Sequence, residues 1–488
     1  MYKNQYFISN CKIDNSVELN EFLFNGLNIY AHPSLSNIKS SEENVQILLL
    51  GYIIDPHNPN MSDDAIIQNL SEVCKTKDIL FKEIQMLSGR FVLIYKNNTD
   101  LIAIGDACNS RQIYYSFINN DFILTSSPKM FIDLYGKELM ISEIKKEFIS
   151  SKDFMEHEYA WFGDDTIDDR LKKVLPNHYL DIINKRVFRV PLFFERLVNV
   201  EDVLEYSATI LKASLEAILK RYKTVFPITA GWDTRVLLAA SKEFIHHIEY
   251  YVFDHFKVNS NHKDVVIPQK LSAKLGFCFH VIRPGRLRED FLAEFNKEHV
   301  FPKILPSTAH IQYHYFKYSN QKVIRICGFG GEISRGRWGN AKFNIDANIL
   351  QYFSGYNGKY EYVNQAVESW LDESIEYSKK CNIPLHDLFY WEQQMGNWGS
   401  MYSFAQDIAI EEFCPYYNKN LLLSITRIDH KERSFFRSAF HKRLIEYLWD
   451  EVLCEPINPA NPVAKLRGLI GRNTTFRYYK LKTLSLLK

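Results

Sequence analysis

The stretch Phe226-Pro-Ile-Thr-Ala-Gly-Trp-Asp-Thr-Arg235 decides the reading of this chain. A short apolar run, Thr224–Ile228, leads into it, a tight turn at Gly231 follows, and a helical pattern leaves it over Asp233–Ser241. A strand that turns into a helix aims unpaired backbone N–H groups and the positive end of the helix dipole at one point, which is an anion site. Gly231 lets the backbone approach the anion. Thr229 and Thr234 bring hydroxyl donors. Asp233 repels phosphate, so it makes chemical sense there only as a ligand of a Mg²⁺ that bridges carboxylate and phosphate oxygens. The same residues also fit a plain helix entry with an acid in its first turn. No G-x-x-x-x-G-K-[ST] run occurs in the chain, so a Walker-type loop is not the competitor.

Working outward, the residues that follow alternate between strand and helix patterns. A helix pattern spans Val200–Tyr222, and a second apolar run covers Ile248–Phe253. A helix pattern over Asp264–Leu275 and a third run, Phe279–Ile282, come next. Strands alternating with helices predict a parallel sheet and an α/β domain. Leu385–Lys488 reads as mainly helical. Upstream, short alternating apolar runs such as Val45–Ile54, Phe91–Tyr95, Leu101–Gly105, Tyr114–Phe117 and Phe122–Ser126 predict a mostly β domain. Helical patterns at Asp63–Cys74 and Lys77–Leu87 lie between its strands. The expected division is residues 1–190 and 200–488.

A second glycine turn lies about a hundred residues beyond the first, in Val323-Ile-Arg-Ile-Cys-Gly-Phe-Gly-Gly-Glu332. Again a strand ends in glycines (Gly328, Gly330) and an acid. Two acids at two strand ends are what a Mg·ATP site needs, because the metal neutralises and positions the leaving pyrophosphate.

Bulk properties narrow the class. With 488 residues the chain exceeds one ordinary core, so two domains are expected. A net charge of +1 argues against a general nucleic-acid binder. No apolar run approaches the roughly 18 residues of a spanning helix, and the first residues lack the pattern of a signal peptide. Eight scattered cysteines without C-x-x-C spacing read as reduced core thiols of a cytoplasmic protein. The last 26 residues carry seven Lys and Arg and no acid, which fits a solvated basic tail or a contact with phosphate or an acidic substrate.

These motifs, in this order, resemble those of the asparagine synthetase family, whose relatives include β-lactam synthetase and lasso-peptide cyclases. Thr229, Ala230, Gly231, Asp233 and Thr234 match its S-G-G-x-D-S-S pyrophosphate loop, with Ala230 in place of a glycine and Arg235 in place of the last serine. Arg235 there either adds a phosphate contact or pairs with a surface acid. Gly328, Gly330 and Glu332 match G-x-G-x-D-E. Glu411, Pro415 and Asn418 resemble E-x-R-x-P-F-L-D, with Phe413 replacing the arginine. Arg437 and His441 resemble a K-x-x-x-R helix. Upstream, Leu87–Tyr95, Gly105–Tyr115, Thr125–Pro128 and Thr166–Leu180 resemble the family's glutaminase-type domain.

The resemblance implies an Ntn-hydrolase-like β-sandwich of α+β type. An α/β synthetase domain of the Rossmann-like, adenine nucleotide alpha hydrolase type follows, with a helical C-terminal part. It implies ATP and Mg²⁺ as cofactors, with Asp233 and Glu332 as metal ligands and Thr229 to Arg235, Gly328 and Gly330 around the phosphates. Val252 and Phe253 fall where the family cradles adenine. Asp264 reads as a helix cap or as a second group near the phosphates. Glu411 and Arg437 are the implied catalytic groups. Lys465 (or Arg467) is the available substitute for the family's transition-state lysine, which has no counterpart in Leu448–Asn458. Phe329 stands where the β-lactam-forming branch has a tyrosine, so that chemistry is not expected. The family's glutaminase needs a cysteine at position 2, and this chain has Tyr2, so glutamine hydrolysis is expected to be lost. The implied activity is an AMP- and pyrophosphate-forming amide ligase joining a small-molecule or peptide carboxylate to an amine or ammonia, as a homodimer or with a partner protein. The alternative is an inactive relative that serves as a nucleotide- or peptide-binding partner protein in a natural-product or surface-polysaccharide pathway.

Overall fold

The computed structural model describes residues 1–488 except 15, 16, 18, 194–198, 255–258, 302, 319–320, 339–344, 357, 435–437 and 460–488, of which last only Tyr479 and Thr483 are described. Arg437, Lys465 and Arg467 therefore lie outside the described residues, as does nearly all of the basic tail.

Among the described residues, twelve strands form the N-terminal half: β1 (Tyr6–Ser9), β2 (Asn20–Phe24), β3 (Leu27–Ala31), β4 (Asn37–Glu42), β5 (Val45–Ile54), β6 (Ser88–Lys96), β7 (Leu101–Gly105), β8 (Tyr114–Ile118), β9 (Asp121–Thr125), β10 (Lys172–Lys173), β11 (His178–Asp181) and β12 (Arg186–Arg189). They make two antiparallel six-stranded sheets, ordered β10-β8-β9-β1-β3-β2 and β12-β11-β7-β6-β5-β4. The apolar run Ile47–Leu50 within β5 has a physical reason, because successive side chains point to opposite faces and both faces are covered. Leu48 and Leu50 pack between the sheets with Ile8, Ile29, Val92 and Ile94. Ile47 and Leu49 pack on the other side against Ile66, Ile67, Leu70 and Phe81. Those four come from the helices Asp63–Val73 and Lys77–Gln85, which begin on the side-chain caps Ser62 and Thr76.

The C-terminal half is built on a parallel sheet of β13 (Lys223–Pro227), β14 (Ile248–Phe253), β15 (Phe279–Ile282), β16 (Val323–Ile326) and β17 (Glu411–Phe413), ordered β15-β14-β13-β16-β17. The molecule is thus a mixed α/β fold with two antiparallel sheets and one parallel sheet. The expected helices appear as Val200–Arg221, Trp232–Ala240 and Lys263–Leu275. One element differs from the sequence reading. The stretch after Leu385, read as mainly helical, supplies the fifth strand, β17, which pairs Ile324 with Glu411 and Ile326 with Phe413. Three residues are too few to show a period, so the strand is defined by its neighbour β16.

The two halves are tied together by buried charge. Arg90 on β6 forms a two-pronged pair with Asp407, whose Nη2–Oδ2 contact is 2.8 Å. Its Nη1 also reaches Glu411 at 2.8 Å, and Arg111 Nη2 reaches the same Glu411 oxygen at 2.6 Å. Aromatic and apolar side chains of residues 148–162 join Tyr356, Tyr362 and Trp370 in one core with the C-terminal half.

Candidate functional site

The central strand β13 has β14 and then β15 on one side, and β16 and β17 on the other. Chain direction across the sheet therefore reverses at β13/β16. In an open parallel sheet the crevice outside the carboxyl ends of the strands at such a reversal is where ligands bind. Both glycine turns sit there, because Thr224 pairs with Ile324 and Val225 with Arg325, and the two strands end side by side.

The first turn is held from within. Ile228 N–H donates to Tyr251 O at 2.9 Å, which continues the strand register. Thr229 Oγ1 and Thr234 Oγ1 lie 3.1 Å apart, and Gly231 N–H donates to Thr229 Oγ1 at 3.2 Å. Ala230 N–H donates to Asp264 Oδ1 at 2.9 Å. Asp264, at the start of the helix Lys263–Leu275, thus takes up one amide of the turn, while His262 is the residue that caps that helix. Gly231 caps the helix Trp232–Ala240 without any side-chain acceptor. Its φ of −77° suits any residue, so its use is close approach and not a left-handed conformation.

The second turn lies directly on the first. A Cβ on Gly331 would stand 2.3 Å from Asp233 Oδ1, and one on Gly328 would stand 3.4 Å from Asp233 Cβ. Gly330 has φ +89° and faces Tyr416 and Tyr417. These glycines serve loop-on-loop packing, so Gly328 and Gly330 touch protein where contact with phosphate was expected.

Asp233 is not a free carboxylate. Arg335, just after the helical turn Gly331–Ser334, grips it with two parallel bonds, Nε–Oδ1 at 2.9 Å and Nη2–Oδ2 at 2.7 Å. The side chains are 7% and 14% exposed, so the pair is shielded from water. Glu332 is the neighbouring acid. Burial, and then repulsion from Asp233, push its carboxyl up to about 7. Its Oε2 has no hydrogen-bond partner among the described residues. A Mg²⁺ site needs ionised, available oxygens. Here one acid is held by a guanidinium and the other favours its proton. No group of three or more metal-capable side chains occurs among the described residues. The residues present do not fit the expected two-acid metal site in this arrangement.

Other expectations are also corrected. Arg235 contacts no phosphate position and no surface acid. It is 1% exposed and turns back to donate to Val452 O and Glu455 O, both at 2.9 Å, with burial lowering its guanidinium to about 10. Glu411 is level with Ile324, near the start of the strands, where Arg90 and Arg111 hold it. It belongs to the contact between the halves and lies away from the turns. Phe253 stacks its ring on His310 at 4.0 Å and 7°, within a side core, and Val252 beside it is 5% exposed. His441 does reach the second turn. Its Nε2 lies 3.0 Å from Ser334 Oγ, and burial holds the ring neutral down to about 3. Asn418 caps the helix Lys419–Thr426 and donates to Met86 O at 2.7 Å. The site residue that the sequence reading missed is Arg335. Its only signal was a basic residue three positions after Glu332.

No family model matches the chain, and no curated protein matches it in sequence. Among solved structures it is similar to glutamine phosphoribosylpyrophosphate amidotransferase from B. subtilis complexed with ADP and GMP, at 9% identity and a TM-score of 0.24, covering 68% of this chain and 71% of that one. It is similar to glutamine-dependent NAD⁺ synthetase from Acinetobacter baumannii in complex with ADP, at 11% identity and a TM-score of 0.19, covering 46% and 44%. It is similar to the U34-tRNA thiolase NcsA from Methanococcus maripaludis, at 10% identity and a TM-score of 0.21, covering 57% and 80%.

Proposed function

We propose that this chain is an asparagine synthase-like ligase. It binds ATP across the two turns, adenylates a carboxylate with release of pyrophosphate, and passes the acyl group to an amine or ammonia with release of AMP. The observation that carries the reading is the pair of glycine turns at the carboxyl ends of β13 and β16, where the sheet order reverses. The helix Trp232–Ala240 presents its N-terminus at that point with no side-chain acceptor on it, which suits a phosphate. Thr229 and Thr234 line the turn with hydroxyls. No step is routed through a metal. The cation paired with Asp233 is Arg335, which serves as a fixed positive charge for an anion seated on the first turn.

The N-terminal half supports the loss of glutamine hydrolysis. Tyr2 is fully buried, its backbone N–H donates to Glu298 Oε1 at 2.9 Å, and its phenol bonds Asp133. Burial raises the phenol still further above its ordinary value. A group so placed neither ionises nor meets substrate.

A second reading, a nucleotide-binding protein without turnover, is favoured by the Arg335–Asp233 pair and by the Asp264 carboxylate on the Ala230 amide. ATP–pyrophosphate exchange with a panel of carboxylic acids separates the two. Exchange that Thr234→Val weakens supports the ligase. ATP binding by calorimetry without exchange for any acid supports the second reading, and absence of ATP binding removes both.

A further inference from the structure

A partly open cavity of about 100 Å³ lies between the halves, away from the glycine turns. A single water needs roughly 10–15 Å³ of such space, so the cavity has room for a small organic molecule. Its walls include the aromatic side chains Tyr159, Trp161, Phe301 and Phe404. Its polar lining is unbalanced. The acids that reach it already have partners. Glu298 accepts from Tyr2 N–H at 2.9 Å and Gln5 Nε2 at 3.1 Å, and Asp165 pairs with Lys172 at 2.6 Å and Lys145 at 3.3 Å. Lys129, at the rim, pairs with Asp133.

Two other amines have no acid. Lys173 is 3% exposed and donates only to neutral oxygens, Gly396 O at 2.5 Å and Ser400 Oγ at 3.0 Å. Lys303, only partly exposed, has no hydrogen-bond or ion-pair partner for its amine among the described residues. Beside it, His299 is 8% exposed, its Nδ1 is bonded to Phe295 O at 2.7 Å, and its Nε2 has no partner among the described residues. Isolated buried ammonium groups are costly, and proteins keep them where a partner charge arrives. We propose that this cavity is a binding site for a small organic acid whose carboxylate lies between Lys173 and Lys303 and whose apolar or aromatic body fills the aromatic walls. Burial lowers both amines to about 7, so each is poised to take up a proton when the anion arrives. The site is separate from the nucleotide turns, and the proposal does not depend on the ligase reading.

The test uses the full chain without nucleotide. Calorimetric titration is made with benzoate, phenylacetate, hexanoate and succinate, and with phenylacetamide as the neutral counterpart of phenylacetate. At least one aromatic or apolar acid is expected to bind, with phenylacetamide at least tenfold weaker than phenylacetate. Lys303→Met is expected to weaken binding at least tenfold while keeping or raising the melting temperature, since it removes an amine that has no acid to pair with. Lys173→Met should weaken it as well. Lys129→Met, whose amine has its own acid, should leave it unchanged. The proposal is overturned if no acid binds the native chain at millimolar concentration, if the amide binds as well as the acid, or if Lys303→Met binds as the native chain does.

Discussion

Replacing Arg335 with Met tests whether the cation at the glycine turns is built into the chain. The guanidinium makes two charge-assisted bonds to Asp233, at 2.9 and 2.7 Å, and both side chains are largely shielded. Removing one partner of such a pair costs about 3–5 kcal/mol, because the other charge is left buried and alone. The remaining charge here also faces Glu332, whose loss of a proton Arg335 makes easier. Arg335→Met should therefore fall near the upper end of that range. The double variant Arg335→Met/Asp233→Asn removes both charges and should recover at least half of the loss, a coupling of about 2 kcal/mol or more. Because a chain with several cores need not unfold in one step, the readout is native-state hydrogen exchange at the amides of Trp232–Ala240 and Val323–Ile326. The variant also leaves the two acids side by side with Arg337 as the remaining cation that acts on Glu332. Mn²⁺ should then protect Arg335→Met, by about 2.7 kcal/mol at a hundredfold excess over its dissociation constant, and do nothing for the native chain. A loss below about 1 kcal/mol, a double variant as unstable as the sum of the singles, or equal protection of the native chain by metal would refute the reasoning.

Glu332→Gln should change how stability depends on pH. Burial raises the carboxyl from 4.5 to about 7, so between those values the folded chain keeps a proton that the unfolded chain has released. Native stability then falls as pH rises through that window, and the Gln variant lacks this contribution. The melting-temperature gain of the variant over the native chain should be smallest below pH 4.5 and largest above pH 7. A gain independent of pH would count against it. Glu411→Ala should take the paired acid from Arg111, leave Arg90 with Asp407 alone and speed proteolysis between the halves, while leaving the ATP dissociation constant within twofold. A large loss of ATP affinity with the halves intact would restore Glu411 to the site. Tyr2→Cys should release no ammonia from glutamine, because position 2 is buried and its N–H is bonded to Glu298; measurable glutaminase would show that the cleft is open after all.

Much of the framework was legible in the sequence. The alternating runs from Val200 to Ile282 gave a parallel sheet because local period and tertiary order agree there. The two glycine turns were visible because close packing at strand ends demands residues without side chains, and Gly331 and Gly330 show that demand directly. What the glycines approach was not legible. Their neighbours are Asp233 and the rings of Tyr416 and Tyr417, contacts that depend on how two distant loops meet. The same holds for charges. Glu411 lies in a motif-like stretch, yet its partners Arg90 and Arg111 come from the other half of the chain, and no local pattern encodes a pair separated by some 300 residues. Arg335 stood three residues past Glu332, but only the fold turns it back onto Asp233.

The ion pairs between the halves also set a timetable for synthesis. Arg90 and Arg111 are made early, while Asp407 and Glu411 follow 300 to 321 positions later. At roughly 5–20 residues per second, the early half waits on the order of 15 to 60 s for its acids. During that wait it carries an open, doubly cationic face that the ribosome's own phosphates can occupy. A nascent chain arrested before Glu411 should therefore stay associated with polyanions and let go once elongation resumes and the last strand of the parallel sheet arrives.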